Sequence, residues 1–392
     1  MKLPTKHITR LTGVALLAAA LAGDAGAQDT SLSELERRIA ILAEELESLQ
    51  LTDIMPEAEG SAFGLGPAAS KIYSKQQGLS IGGYGEGRYQ NFGGAAKDDV
   101  FDFYRAVFYF GYRFNEDWVF NSEIEMEHVN ELSVEFAYLD WLGGSEALNA
   151  RVGLMLLPLG LVNEYHEPTT FLAANRSVIE SKLIPTTARE NGAGIFGAVG
   201  SWDYKLYLVN GMNGASGEDH AGFADDSLRG GRQKGAKALA NDFAAVASLE
   251  TTARPGLRFG VSAYMGDSGQ DQGQGDMATE IFEAHCDYRA GPLWARGMLA
   301  VAGVEDRAAG DINLSGAYTE LGYDLLGGDG EEALYPFLRY EDLDEDDGND
   351  TTALTYGLHY RPLDNLVFKL DHTDYGDGDG DDVTTFLLGY VF

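Results

Sequence analysis

Stretches of this sequence alternate between apolar and polar residues with a period of two, which is the side-chain spacing of an extended strand with two different faces. In the segment 100–114 the predicted outer face carries Tyr104, Ala106, Phe108, Phe110, Tyr112 and Phe114. The predicted inner face carries Arg105, Val107, Tyr109, Gly111 and Arg113. Such a strand is expected to separate lipid from water, with its terminal aromatic rings at headgroup level.

The segment 118–129 shows the same alternation with stronger charge. Phe120, Ile124 and Met126 are predicted to face outward, whereas Asn121, Glu123, Glu125 and Glu127 are predicted to face inward. Because charged side chains on a lipid-facing surface are destabilising, these carboxylates must face water, and a water-filled lumen follows. Alternation places further residues on the lumen side, namely Glu86, Arg88, Arg151, Lys205, Arg258, Glu283, His285, Asp287, Arg289, Arg339, Glu341, Lys369 and Asp371.

Sixteen alternating segments, each bounded by turn residues, can be marked along the chain. They lie near residues 79–92, 100–114, 118–129, 134–142, 148–157, 192–200, 202–212, 242–252, 257–267, 278–290, 293–304, 313–326, 333–343, 351–362, 366–375 and 383–392. Short turns alternate with long connections such as 158–191 and 213–241, as in barrels that cross a membrane. The predicted fold is all-β, a 16-stranded antiparallel transmembrane β-barrel over residues 79–392, preceded by a short N-terminal coiled-coil helix.

The first 27 residues have the pattern of a secretory signal peptide. The chain carries Lys2, Lys6 and Arg10, and an apolar run follows over residues 11–22 that is too short to cross a bilayer as a helix. Small residues follow at positions 25–27, which predicts a mature start near residue 28. A single cysteine leaves no intrachain disulfide, so burial and hydrogen bonding must stabilise the exported chain.

Residues 28–50 carry a heptad pattern. The predicted oligomerisation positions are Leu32, Leu35, Ile39, Leu42, Leu46 and Leu49. Fewer than three heptads are marginally stable alone, so we expect a coiled coil that is tethered to an oligomeric barrel; a single amphipathic helix is the alternative. Residues 51–78 are rich in Gly, Ala, Ser and Pro without periodicity, which predicts a linker.

The formal net charge of −34 disfavours nucleic acid and anionic membrane surfaces as partners. The acidic runs 344–347 and 377–382 do not match an EF-hand loop and are expected to be solvated outer loops, with loose divalent binding at the cell surface as the alternative. Histidines are scattered along the strands without a nucleophile beside them, so we expect no enzyme, no bound metal and no cofactor.

The connection 158–191 is the third one on the long-loop side, and loops of this length are usually functional. It contains a possible short helix between Thr170 and Lys182. The charged groups it brings are Glu164, His166, Glu167, Arg176, Glu180, Lys182, Arg189 and Glu190, and those predicted on nearby strands are Arg105, Arg113, Glu123, Glu125, Glu127 and Arg151. Opposed charges of this kind set the ion preference of a wide pore, although some of them could merely pin the loop to the wall.

The C-terminal alternation of Phe386, Leu388, Tyr390 and Phe392 resembles the insertion signal of Gram-negative outer-membrane barrels. That resemblance implies an outer-membrane location, recognition by the barrel-assembly machinery, and contact with outer-membrane lipid and lipopolysaccharide. The stretches DFYRAVFYFGYRFNEDWVFNSEIEME, VGLMLLPLGLVNEYHEPTTF and IPTTARENGAG resemble the phosphate-selective porins O and P and their superfamily, over roughly residues 79–392.

The porin resemblance implies a homotrimer of 16-stranded barrels in which the third loop folds inward as a constriction. It also implies a ladder of lumen arginines, for which Arg105, Arg113, Arg151 and Arg189 are the candidates, and basic residues in the fourth outer loop, here Arg229, Arg232, Lys234 and Lys237. The chain departs from the family in its acidity: Glu123, Glu125 and Glu127 lie beside the arginines. The net charge predicts a preference for cations and the arginines predict an anion site, so the sign of the ion that the pore prefers stays open.

The sequence therefore predicts a porin that lets small hydrophilic solutes or ions diffuse passively, with inorganic anions such as phosphate as one candidate cargo. The alternative is an outer-membrane barrel that acts as a structural tether or carries a surface enzyme. The coiled coil favours a tether, but about 20 helical residues reach only about 30 Å.

Overall fold

The computed structural model describes residues 37–41, 60–94, 97–215, 222–272, 275–306, 310–327, 332–345, 350–376 and 381–392. Residues 37–41 are helical and exposed, and they include Ile39 of the heptad pattern. The predicted signal peptide and the other heptad residues, Leu32, Leu35, Leu42, Leu46 and Leu49, lie outside the described residues. The coiled coil therefore stays a prediction.

Sixteen strands are found in the described part of the chain. They are β1 Gly78–Phe92, β2 Val100–Arg113, β3 Trp118–Glu127, β4 Glu131–Ser145, β5 Leu148–Leu156, β6 Arg189–Val199, β7 Trp202–Asn210, β8 Phe243–Arg254, β9 Leu257–Asp267, β10 Met277–Ala290, β11 Leu293–Asp306, β12 Ile312–Tyr323, β13 Ala333–Asp344, β14 Thr351–Leu363, β15 Leu366–Tyr375 and β16 Val383–Val391. The helices outside residues 37–41 are α1 Pro67–Ser74, α2 Phe223–Gly230 and a one-turn π-helix Ile179–Leu183.

Each strand pairs antiparallel with its neighbours in sequence, and β1 pairs with β16 to close the barrel. The last residue completes this closure, because Phe392 and Gly83 exchange both backbone hydrogen bonds at 2.9 Å. The predicted 16-stranded antiparallel barrel is confirmed. One boundary is corrected: β6 begins at Arg189, so Arg189 and Glu190 lie on a strand rather than in the long loop. The helix expected between Thr170 and Lys182 is also shorter, and is the π-helix.

The two faces of the barrel differ as expected. On β2, Phe108 and Tyr112 are exposed on the outer face, whereas Val107 and Tyr109 are buried on the inner face. The inner face is covered by chain that folds into the lumen, so its polar groups are buried among protein atoms. Among the described helices, none is both long and apolar enough to cross a membrane.

A bulge between β1 and β2 corrects one predicted orientation. The register shifts between Glu86 and Arg88, which pair with Arg105 and Asp102, so β2 carries one extra residue. Tyr104, predicted to face outward, turns into the lumen instead. There the Arg88 guanidinium lies 3.7 Å from the centre of its ring.

A second bulge brings a carboxylate inside. Between β3 and β4 the register shifts so that Glu123 pairs with Phe136 while Ile124 pairs with Val134. Glu135 is the extra residue, and it is buried beside Phe136 on the inner face. Strict alternation would have put this carboxylate into lipid, where a charge is destabilising.

Residues 60–77 differ from the linker that composition predicts over 51–78. Pro67 stands at the start of α1, where its missing amide is tolerated, and Ala68, Ala69 and Ile72 are buried. Helix α1 packs against the inner faces of β1, β2 and β3. The small residues that suggested a flexible linker instead let a helix lie close to the barrel wall.

We expect Leu299→Arg, in the middle of β11 on the exposed face, to lower the free energy of unfolding by about 2–4 kcal/mol, because the charge enters the lipid midplane. The matched change Leu325→Arg lies beyond the end of β12 and should cost no more than about 1 kcal/mol. Guanidinium unfolding in lipid vesicles measures both. Equal costs would contradict the assignment of the outer face to lipid.

Candidate constriction site

The long connection between β5 and β6, residues 157–188, crosses the lumen and is called loop L3 here. It leaves the wall at β5 and reaches the strands that lie opposite in the ring. Lys369 on β15 donates hydrogen bonds to the carbonyl oxygens of Phe171 at 2.9 Å and Ala173 at 3.0 Å. The Nδ1 atom of His359 lies 3.1 Å from the carbonyl oxygen of Leu172. The loop is thus attached to the far wall.

Carboxylates of the same wall hold the backbone amides of L3. Asp371 accepts a hydrogen bond from the amide of Ala174 at 2.5 Å, and Glu341 accepts one from Val178 at 2.7 Å. A buried amide without a partner costs free energy comparable to a lost hydrogen bond, so these side chains stabilise an irregular backbone inside the barrel. The strands supply both donors and acceptors to the loop.

L3 is also closed on itself. The side chain of Asn163 donates to the carbonyl oxygens of Leu157 at 2.7 Å and Ala188 at 2.9 Å, and it accepts from the amide of Ala188 at 2.8 Å. Asn163 therefore holds the two ends of the loop together. Glu180, on the π-helix, accepts from the amide of Val162 at 2.7 Å, and burial raises the pKa of this carboxyl.

The segment 164–167 of the loop presents three ionisable groups that the sequence predicts in the constriction. His166 Nε2 lies 3.2 Å from Glu123 Oε1, and Glu164 forms an ion pair with Lys205 on β7. Glu167 Oε1 accepts hydrogen bonds from the amides of Ala68 at 2.9 Å and Ala69 at 3.1 Å at the start of α1. Burial raises the pKa of Glu167 to about 7, and the two amides act against that rise.

The predicted arginine ladder is built of ion pairs. Arg105 lies 2.8 Å from Glu86 and 3.0 Å from Glu125, Arg151 lies 2.8 Å from Asp140, and Arg189 lies 2.8 Å from Glu135. All seven side chains are at least nine-tenths buried. Since a buried charge is strongly destabilising unless it is paired, the acidic residues beside the arginines balance the ladder.

The remaining predicted residues are spread more widely. Arg113 donates to the carbonyl oxygens of Tyr73, Asn115 and Glu116 at the short turn after β2, so it belongs to the rim. Lys182 forms an ion pair with Glu345 at 2.5 Å.

Glu190 on β6 accepts hydrogen bonds from the side chain of Asn210 at 2.6 Å and from the amide of Gln233 at 2.7 Å, and so holds the connection between β7 and β8. Glu127 is half-buried at the end of β3, and Arg176 is half-buried on L3.

Two cavities lie on either side of L3. The one toward the long-loop end, called the outer cavity here, has a volume of about 230 Å³. The acidic and basic residues that line it are Arg88, Arg105, Arg176, Arg229, His166 and Glu86. The inner cavity, toward the short turns, has a volume of about 650 Å³, and its lining includes Phe63, Glu164, Tyr165, Lys205, Arg258 and His285. The short L3 segment 164–166 separates the two.

Several lumen residues are absent from the sequence predictions. Asp140 lies on the inner face with Tyr138 and Phe136, so plain alternation along β4 could have found it. The bulge beside Glu123 hid Glu135, and no sequence signal marks that bulge. Arg296 on β11 lies 3.4 Å from Asp287 and is buried.

Within the described residues no cluster of His, Cys, Asp or Glu could hold a metal ion.

No protein-family model matches the chain. An uncharacterized protein of Aquifex aeolicus (strain VF5) is 33% identical over 382 residues, which is 88% of this chain and 87% of that protein. The match extends over nearly the whole of both sequences.

Solved outer-membrane proteins share the fold at low identity. OmpF of Salmonella typhi, in complex with daunomycin, superposes with a TM-score of 0.58 at 15% identity, covering 81% of this chain and 98% of OmpF. An anion-selective porin of Comamonas acidovorans gives 0.56 at 12% identity, covering 81% and 100%. OmpT of Vibrio cholerae in its trimer form gives 0.53 at 11% identity, covering 80% and 99%. The chain therefore has the porin fold.

We expect Arg189→Met to cost about 3–5 kcal/mol of unfolding free energy, because it leaves the Glu135 carboxylate buried without its cation. Arg189→Met combined with Glu135→Gln should cost clearly less than the single change. As a control, Arg361→Met removes a cation whose partner Asp364 is largely exposed, and should cost at most about 1 kcal/mol. If the double variant loses as much unfolding free energy as Arg189→Met and Glu135→Gln lose separately when added together, the bulge does not bring Glu135 to Arg189.

Proposed function

The chain belongs to the same family as the uncharacterized Aquifex aeolicus protein, and from its porin fold we propose that it is an outer-membrane porin for passive diffusion of small hydrophilic solutes or ions. The observation that carries the proposal is L3, which crosses a lumen lined with charged groups and is held by Lys369, Asp371 and Glu341. A wide barrel that is narrowed by a fixed charged loop selects solutes by their size and charge, without any chemical reaction on the solute.

The surface of the barrel and the sequence support the proposed location and assembly. The outer face carries exposed apolar side chains along the strands, so the barrel fits a lipid bilayer, and Phe386 and Tyr390 of the predicted insertion signal lie exposed on β16. Lipopolysaccharide and the barrel-assembly machinery are then its expected contacts. A homotrimer is proposed with the support of the OmpT trimer and of the predicted coiled coil.

We propose that the pore selects anions over cations. Four arginines and one glutamate line the outer cavity, although the chain as a whole is acidic. Arg105 is paired with Glu86, but Arg176 makes no ion pair or hydrogen bond within the described residues, and Arg88 lies over Tyr104 and bonds Asn175 at 3.4 Å. A solute meets this positive potential before L3.

Inorganic phosphate is the first anion to test. The sequence resemblance to the phosphate-selective porins O and P supports it, and arginine side chains bind phosphate oxygens with two hydrogen bonds at once. The Comamonas porin of the same fold is described as anion-selective, which supports anions in general. The paired ladder of Arg105, Arg151 and Arg189 leaves less free positive charge than an unpaired one would.

A planar bilayer under a potassium chloride gradient tests the proposal. We expect discrete conductance steps and a reversal potential on the anion-selective side, because the outer cavity concentrates anions. Arg176→Glu should move the reversal potential toward cations, whereas Lys97→Glu, the same charge change on an exposed outer connection, should move it much less. A cation-selective wild type would overturn the anion assignment, and a folded, inserted barrel without conductance steps would overturn the porin function.

A further inference from the structure

Residues 60–77 form a compact segment inside the lumen at its short-turn end, beside the strands that begin or end there. We propose that this segment, called the plug here, is a resident constriction that sets the size limit of the pore, in addition to L3. The proposal rests on the porin function proposed above. It names a specificity-determining element that lies before the first strand of the barrel.

The plug is held at its first end by L3. Glu167 places one carboxylate oxygen against the first two free amides of α1, where a helix presents unpaired N–H groups and partial positive charge. The contact is close, because a Cβ atom at Gly66 would lie 2.3 Å from that same oxygen. One side chain of the constriction loop therefore positions the plug.

The second end of α1 is held by the wall. The hydroxyl of Tyr73 donates to Asp140 at 2.7 Å and accepts from Arg151 at 3.3 Å, so it joins a buried ion pair of the ladder. Arg113 donates to the carbonyl oxygen of Tyr73 at 3.2 Å, and Asn121 donates to that of Ala69 at 3.0 Å. Both a side-chain hydroxyl and backbone carbonyl oxygens of α1 are therefore bonded to the barrel wall.

Glycines in the wall make room for α1. A Cβ atom at Gly111 on β2 would lie 2.6 Å from the Cβ of Ile72, and one at Gly82 on β1 would lie 2.9 Å from the carbonyl oxygen of Ala68. Both distances are shorter than van der Waals contact, so any larger residue there displaces the helix or is displaced by it. The wall is shaped to the plug at two positions.

The plug also narrows the path beyond the helix. The ring of Phe63 lies 5.0 Å from that of Phe196 on β6 and 4.8 Å from that of Tyr73, and residues 61–64 line the inner cavity. A helix with its side chains is about 10–12 Å across, which is a large part of the lumen of a barrel of this size. A solute that passes L3 therefore meets a second restriction.

Single-channel recording with neutral polyethylene glycols of increasing size tests the plug in the full chain. Gly111→Leu should displace α1 by collision with Ile72, and deletion of residues 60–75 removes it. We expect both variants to show at least about twofold higher conductance and to admit larger polymers, given the cross-section of a helix. The control is Gly87→Leu, since a Cβ atom at Gly87 has no atom within 4 Å, and it should match wild type.

Folding of each variant is checked first by its heat-modifiable mobility and its β-sheet circular dichroism, and limited proteolysis of Gly111→Leu reports whether residues 60–77 have become accessible. If Gly111→Leu folds and releases the segment but keeps the conductance and polymer limit of wild type, the plug proposal is overturned while the porin function stands. If wild type, Gly111→Leu and the deletion all insert without conductance steps, the porin function itself fails. Steps that appear only after displacement or deletion would overturn both proposals, because wild type would then be a sealed barrel rather than a porin with a size-limiting plug.

Discussion

Closure of the strand ladder between β1 and β16 is the interaction on which the rest of the molecule depends. Inside a bilayer every backbone amide and carbonyl needs a protein partner, and a sheet satisfies this only when it has no free edge. The reciprocal bonds between Gly83 and Phe392 complete that closure. Once the ladder is closed, the outer face can be apolar across the hydrocarbon core of the bilayer, and charged groups of the strands at that depth must lie on the inside.

The charged groups inside the barrel have two different roles. One group, which includes Lys369, Asp371 and Glu341, holds the irregular backbone of L3 in the lumen. The other group lines the outer cavity, where Arg88 and Arg176 face the space that a solute would occupy. Glu180 pins the loop, since its two carboxylate oxygens accept hydrogen bonds from Val162 and Tyr318, whereas Arg176 has no such bond to another described residue.

Strand positions could be predicted because a membrane barrel repeats one pattern, apolar outside and polar inside, in every strand. Bulges break this pattern without a sequence signal, so alternation places Tyr104 on the wrong face and does not bring Glu135 inside. Local composition predicts a linker where α1 lies, because the helix is stabilised by Glu167, Asp140 and the wall, all distant in sequence. Ion-pair partners such as Asp140 for Arg151 likewise depend on register rather than on local composition.

Hydrogen exchange of the L3 amides tests most directly whether the loop is fixed across the lumen. The amides of Val162, Ala174 and Val178 each bind a buried carboxylate, so they should exchange as slowly as amides within the strands. Residues 97–99, in the exposed connection after β1, provide the fast reference. Exchange of the three L3 amides at the rate of that reference would contradict a loop held inside the barrel.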